Sequence, residues 1–164
     1  MMAFIAPAAC RRGFTLIELL VTLAILGVLG TLVVPMTQMA LQRRDEQELR
    51  RALREIRQGI DAYKRAGDEG RLLRSPDASG YPKNLELLVE GVPDQRNPRH
   101  SRIYFLRRVP RDPFNHDANL SGAQTWGKRS YASDATDPHE GEDVYDVYST
   151  SAKIGLNNVP YRQW

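Results

Sequence analysis

Phe14 to Met36 reads FTLIELLVTLAILGVLGTLVVPM, twenty-three residues with one charge, Glu18. As a helix this run spans roughly 34 Å at ~1.5 Å per residue, enough to cross a hydrocarbon core of ~30 Å. Residues 43–74 are the opposite: seventeen charges, ten basic and seven acidic. The 164 residues fit one small domain plus an appendage. The chain is therefore read as an apolar spike carrying a polar body, and a plain cytosolic globule is improbable.

Arg11 and Arg12 directly precede the run, which favours a cytoplasmic N-terminus and an outward-facing body. Arg43 and Arg44 follow it, so the charge asymmetry is modest. A cleaved secretory signal is the plainest alternative, but its apolar region should span about 7–15 residues and end at a small-residue site. This run is longer and no such site follows. A lipoprotein reading of Pro7-Ala8-Ala9-Cys10 is weak, because no basic residue precedes Phe4-Ile5 and the stretch before Cys10 is short.

Glu18 is the most informative position. A carboxylate in a membrane helix is costly and is expected to be functional or paired. It lies four residues, about 6 Å, beyond Phe14, where a spanning helix meets the cytoplasmic interface and the acid stays hydrated. The simpler alternative is a helix-end glutamate reaching for headgroups. Gly27, Gly30 and Pro35 punctuate the same run. Pro35 cannot donate to the carbonyl of Thr31, and each glycine costs about 1 kcal/mol relative to alanine in a helix. The Gly27–Pro35 stretch is expected to be the weakest part of the helix and able to bend on packing; ordinary small-residue packing between membrane helices is compatible with this.

The segment Arg11-Arg12-Gly13-Phe14-Thr15-Leu16-Ile17-Glu18-Leu19 closely resembles the N-terminal signature of type IV prepilins and type II secretion pseudopilins. The resemblance implies that a prepilin peptidase cuts after Gly13 and methylates the new terminal Phe14. Residues 1–13 are then a leader, 14–36 a transmembrane and polymerisation helix, and 37–164 a periplasmic domain. Glu18 falls at the fifth mature position, where the family has its glutamate, and Pro35 where it often has a helix-bending proline. Cleavage would place a positive amine on Phe14, at a helix end that already carries partial positive charge. If such helices bundle away from headgroups, an unpaired Glu18 costs several kcal/mol. The amine of a neighbouring Phe14 neutralises it and so specifies axial register.

Charge and cysteine fit this processing. The formal net charge of +3 includes Arg11 and Arg12. Without residues 1–13, 21 basic residues face 20 acidic ones, so the basic pI does not argue for a nucleic-acid partner. The single cysteine, Cys10, leaves with the leader, and the body must fold without a disulfide.

From Thr37 the pattern becomes amphipathic. Leu49, Leu53, Ile56, Ile60 and Tyr63 recur at three- and four-residue spacing, with Ala52 beside them, while Arg43, Arg44, Asp45, Glu46, Arg50, Arg54, Arg57 and Asp61 occupy faces expected to be solvated. One helix is predicted from Phe14 to about Ala66, its amphipathic part over 37–66, ended by Gly67 and Gly70. Residues 75–83 are turn-rich. Asn84 is a candidate cap for a short helix over Leu85, Leu87, Leu88 and Val89, closed by Gly91 and Pro93. Residues 94–102 are an arginine-rich loop. Three strands are predicted, over 103–110, 128–133 and 144–149, giving an α+β fold with a small three-stranded antiparallel sheet on the helix. Leu85, Leu88, Tyr104, Leu106, Phe114, Tyr131, Val144 and Val147 are expected to join Leu53, Ile56 and Ile60 in the core.

The body is also similar to the major, G-type pseudopilin of type II secretion. The matching features, in order, are Gly80-Tyr81-Pro82 before a leucine-rich short helix, Val109-Pro110 with Asp112-Pro113-Phe114, and Tyr145-Asp146-Val147-Tyr148-Ser149. Phe114 replaces the family's usual tryptophan. The resemblance implies a type IV pilin-like fold in the bacterial inner membrane. It also implies a homopolymer with other pseudopilins, extended by an inner-membrane assembly platform and its ATPase, that helps folded proteins cross the outer membrane. The family's calcium loop is not carried over. Thr150 to Asn158 reads TSAKIGLNN, without aspartate and with Lys153, whereas calcium takes six to eight oxygens with carboxylates supplying charge. Asp134, Asp137, Glu140, Glu142 and Asp143 are an alternative ion-holding group, with a solvated acidic loop the favoured reading. No cofactor is expected.

Arg96, Arg99, Arg102, Arg107, Arg108 and Arg111 on one side, and the acids from Asp134 to Asp146 on the other, could face each other between subunits or be ordinary surface. His100, His116 and His139 lack metal-ligand spacing, and no nucleophile motif or phosphate loop appears, so no enzyme is expected. Asn119-Leu120-Ser121 is a formal glycosylation sequon, read as incidental. The alternatives are a type IV pilus subunit serving adhesion, motility or DNA uptake, and a monomeric membrane-anchored binding module.

Overall fold

Residues 13–73, 75, 78–99 and 101–164 are described by a computed structural model, with the backbone alone at 32–35. The uninterrupted helical pattern yields α1, Leu16–Asp68, fifty-three residues. It ends two residues later than predicted. Gly70 takes φ +70°, its N–H reaches the Gly67 carbonyl at 3.0 Å, and the Arg71 N–H reaches back to Ala66 at 2.9 Å. This pair of bonds satisfies the last carbonyls and requires a left-handed residue, which glycine takes without strain. The chain divides into two compact units, Met1–Leu41 and Gln42–Trp164.

In the second unit the predicted stripe is the core. Leu49, Leu53, Ile56 and Ile60 are at most 2% exposed and cluster with Leu85, Leu88, Leu106, Ala123, Trp126, Val144, Val147 and Tyr161. The short helix α2 is Leu87–Glu90; the Asn84 side chain accepts the Leu87 N–H at 3.0 Å, so this expected cap forms.

Among the described residues the sheet is not three-stranded. Two antiparallel pairs stand in its place: β1 (Val92–Pro93) with β2 (Arg102–Ile103), and β3 (Trp126–Arg129) with β4 (Asp146–Ser149). The reason for the first difference is local. The carbonyl of Leu88 accepts both the Phe105 and Leu106 N–H groups at 3.0 Å, so the backbone after Ile103 is bonded to α2 and cannot ladder. The second predicted strand lies further upstream because the chain turns at Ser130, whose carbonyl accepts the Ser133 N–H. Gly127 faces Tyr148 across the ladder, and a Cβ there would lie 2.3 Å from the Tyr148 ring. Glycine lets that ring lie flat on the strand.

Tyr104 and Tyr131, expected in the core, are 63% and 62% exposed. Tyr104 covers Gly91 from outside. Tyr131 stacks on Tyr81 at 5.6 Å and meets Tyr145 edge-on. Their places in the core are taken by Trp126 and Tyr161, 2% and 0% exposed.

Candidate functional site

The N-terminal unit is defined by what its side chains leave open. Gly13 precedes the helix, and Phe14 is 82% exposed. Thr15 is the polar residue just before the first helical turn. Its Oγ1 accepts the Glu18 N–H at 3.3 Å, satisfying one of the free donors of a helix start. Glu18 lies in the first turn, where partial positive charge favours an anion. The Thr-x-x-Glu spacing carried this signal in the sequence, although Thr15 was not among the expected site residues.

Thr22 and Thr31 turn their hydroxyls back to the carbonyls of Leu19 and Val28 at 2.9 and 2.7 Å, which leaves little polar surface facing outward. Leu16, Ile17, Leu19, Leu20, Val21, Leu23, Ile25, Leu26, Val28 and Leu29 are all more than half exposed. The helix is long and apolar enough to cross a membrane by length and composition. Among the described residues no cation engages the Glu18 carboxylate. A Cβ added at Gly27 or Gly30 would meet nothing within 4 Å. The helical backbone continues through Gly27, Gly30 and Pro35. The leader expected over residues 1–13 lies outside the described residues except for Gly13.

In the second unit two separate sequence motifs meet. Asp112, 1% exposed, accepts the Ser149 hydroxyl at 2.5 Å and the Phe114 N–H at 2.9 Å. The Asp112 N–H donates to Thr125 Oγ1 at 3.1 Å. Trp126 Nε1 donates to the Pro110 carbonyl at 2.8 Å. The Asp-Pro turn is thereby joined to the end of β4, and Phe114 stacks on Tyr161 with centroids 4.1 Å apart.

The charged face of α1, expected to be solvated, is used internally at three positions, Glu46, Arg50 and Arg57, and the uncharged Gln42 joins them. Arg57 binds Asp146 at 2.7 Å, the Val147 carbonyl at 3.2 Å and the main-chain oxygen of Trp164 at 2.8 Å. Arg50 lies 4.4 Å from the Trp164 ring centroid. Glu46, 6% exposed, accepts the Leu156 N–H at 2.7 Å and the Tyr161 hydroxyl at 2.9 Å. Gln42 donates to the Ile154 carbonyl at 3.3 Å and to the Tyr161 oxygen at 3.0 Å. Burial pushes the Tyr161 hydroxyl above its ordinary pKa; the Gln42 hydrogen bond opposes this, and the Glu46 carboxylate adds to the rise.

The two charge clusters fare differently. Among the arginines, Arg102 is tied to the Glu90 carbonyl and Arg111 to the carbonyls of Leu120 and Asp117. Arg96, Arg99, Arg107 and Arg108 are exposed. A groove of about 850 Å³ is lined by Arg44, Arg51, Arg108 and Arg111 together with Glu48 and Glu55. Several acids are committed within the chain. Asp134 holds Thr136, Asp137 holds His139 at 2.9 Å, Asp143 accepts the Ser130 hydroxyl and the Tyr131 N–H, and Asp146 holds Arg57. Each of these acids therefore already has hydrogen donors. At the arginine loop, the Arg71 guanidinium at 2.7 Å holds the Asp94 carboxyl below the usual carboxylate range. His116 is exposed, and His100 lies outside the described residues.

Comparison with known proteins agrees with both units. A family model described as the prokaryotic N-terminal methylation motif matches residues 9–34. The type II secretion system core protein G of Klebsiella pneumoniae is 33% identical over 114 residues, 67% of this chain and 74% of that protein. The protein of the same name from Vibrio cholerae is 29% identical over 154 residues, 91% of this chain and 93% of that one. The one from Escherichia coli K12 is 31% identical over 113 residues, 65% and 69% respectively. No solved structure gives a significant match.

Proposed function

This chain belongs to the type II secretion system core protein G family, and from that membership we propose how it works as a structural subunit of the pseudopilus. The observation that carries the reading is the N-terminal unit: apolar side chains exposed along the helix, one carboxylate in its first turn, and Phe14 immediately before it. Such a surface is answered by lipid or by other apolar helices.

The prepilin peptidase removes residues 1–13 and methylates Phe14. The helix then anchors the subunit in the inner membrane with the Gln42–Trp164 unit in the periplasm. During assembly, driven by the platform and its ATPase, the helix leaves lipid and packs among its copies and other pseudopilins. Glu18 loses its water there, and the amine of a neighbouring Phe14 neutralises it, which penalises every other axial stagger. Gly27, Gly30 and Pro35 let the helix adjust as it packs. The growing fibre helps folded proteins cross the outer membrane. The role is structural, with no catalytic step.

The exposed arginines Arg96, Arg99, Arg107 and Arg108 add orientation between subunits rather than affinity. Their counterparts are drawn from the less committed acids of the 134–143 loop, Glu142 above all. Charge reversal at the four arginines should make fibres shorter and more salt-sensitive; intact, salt-insensitive fibres would dispose of this contact.

The test of the main reading is mass spectrometry of the protein from its native membrane, combined with cysteine crosslinking along residues 16–30. A mature chain beginning with N-methylated Phe14 and a ladder of helix–helix crosslinks are expected. An intact leader in assembled material refutes it.

A further inference from the structure

The calcium ion that the family resemblance implies for the loop after β4 does not fit the residues present. Calcium needs six to eight oxygen ligands free to face it. Many of the oxygens in and beside this loop already accept hydrogens. Ser151 Oγ takes the Lys153 N–H, Asn157 Oδ1 takes the Val159 N–H, and Ser149 Oγ takes the Ser151 N–H while donating to Asp112. The Ile154, Gly155 and Lys153 carbonyls accept from Gln42, Asn158 and Tyr161. The nearby carboxylates, Asp112 and Glu46, face N–H and O–H donors. The loop also carries its own cation, Lys153, 5.9 Å from the Phe114 ring centroid. Among the described residues no three His, Cys, Asp or Glu side chains are placed to hold a metal.

We propose that a polar row on α1, Gln42, Glu46, Arg50 and Arg57, fastens residues 150–164 in place of a divalent cation, so that this subunit folds its C-terminal segment without metal. At about 100° per residue these four positions fall within roughly 80° of one another, so one helix face presents all four to the same segment. Each grips a different point: Gln42 the Ile154 carbonyl, Glu46 the Leu156 N–H and the Tyr161 hydroxyl, Arg50 the Trp164 ring, and Arg57 the Trp164 main-chain oxygen. Glu46 is the centre of the row, because a buried carboxylate that receives an N–H and an O–H does for the loop what a cation does for a ring of oxygens: it cross-links backbone and side chain at one point. An ion lost from such a loop frees it at once, whereas a carboxylate covalently carried by α1 stays with the domain whatever the calcium concentration.

This inference goes beyond the pseudopilus reading, and its test is made on unassembled subunits, so neither result bears on polymerisation. Hydrogen–deuterium exchange is followed at residues 151–163 of the full-length chain in detergent micelles, in EGTA and in excess calcium chloride. For the wild type, rates in the two media are expected to agree within twofold. Glu46→Ala should raise them at least tenfold in both media. Tyr161→Phe, which keeps the buried ring and removes the hydroxyl that donates to Glu46 and accepts from Gln42, should raise them severalfold and serves where Glu46→Ala does not fold. EGTA accelerating the wild type, calcium restoring slow exchange to Glu46→Ala, or Tyr161→Phe exchanging at the wild-type rate would each overturn the proposal.

Discussion

The two halves of α1 make the sharpest contrast in the molecule. Leu16 to Leu29 expose their apolar side chains by half or more, whereas Leu49, Leu53, Ile56 and Ile60 are covered almost completely. One helix therefore holds two apolar surfaces of different fate. The C-terminal surface is a stripe about one face wide, and a small domain can cover a stripe. The N-terminal surface runs all the way round, and only a surrounding apolar medium, lipid or a bundle of like helices, can cover that. The polar residues divide in the same way. Glu46 has its donors within its own chain, whereas among the described residues no cation engages the Glu18 carboxylate.

The largest effect expected from this contrast is on Glu18. Glu18→Ala should reduce crosslinkable fibre at least a hundredfold while leaving the domain's urea midpoint unchanged. Normal fibres from this variant would break the distinction between the two halves. Next comes a matched pair of truncations. Ile56→Ala should cost about 2–5 kcal/mol in urea unfolding, as buried isoleucine truncations do. Leu23→Ala should fall within about 0.5 kcal/mol, as exposed positions do. Similar losses at both sites would mean that the N-terminal half is covered within its own chain.

Asp112→Ala sharpens the picture of the covered half. It leaves the Ser149 hydroxyl and the Phe114 N–H without their acceptor, at about 1–3 kcal/mol by equilibrium unfolding. The smallest effect belongs to the arginine loop. Asp94 titrates below its ordinary value because of Arg71, so the stability it lends is present above the unfolded carboxylate pKa of about 3.9 and is lost as pH falls through the lower folded value. Amide exchange at Gln95 to Asn97 should be unaffected between pH 7 and 5 once corrected for intrinsic rates, and rise below about pH 4. Arg71→Ala should move the onset of that rise upward. An onset that stays in place would remove the pair from the account.

Much of the fold was legible because its signals are local. The 3.6-residue recurrence from Leu49 to Ile60 needs only the helix to repeat itself, and the Asn84 cap needs only three residues of spacing. The strands were misplaced because their limits depend on distant partners. Nothing near Phe105 announces that its N–H will bond Leu88, and nothing near Gly127 announces the Tyr148 ring. Exposure of Tyr131 was missed for a related reason: hydrophobic character favours burial, but a tyrosine packed on other tyrosines satisfies itself at the surface; Tyr104 instead lies over Gly91. At the candidate site, Gly13, Phe14 and Glu18 fall within six residues of sequence, so the chain itself sets them close together without any tertiary contact. The capping role of Thr15 was equally local and could have been read.

The amino-acid order alone determined that this chain has a membrane-length apolar helix, an acid near its start and an amphipathic continuation, because covalent neighbours and helical periodicity suffice to place them. Only the tertiary structure decided that Asp112 meets Ser149, that Glu46 and Arg57 hold the C-terminal segment, and that three charged-face residues, Glu46, Arg50 and Arg57, are structural. These pairings join positions from 37 to 115 residues apart, and a contact at that distance exists only once the intervening chain has folded and fixed the geometry between its ends.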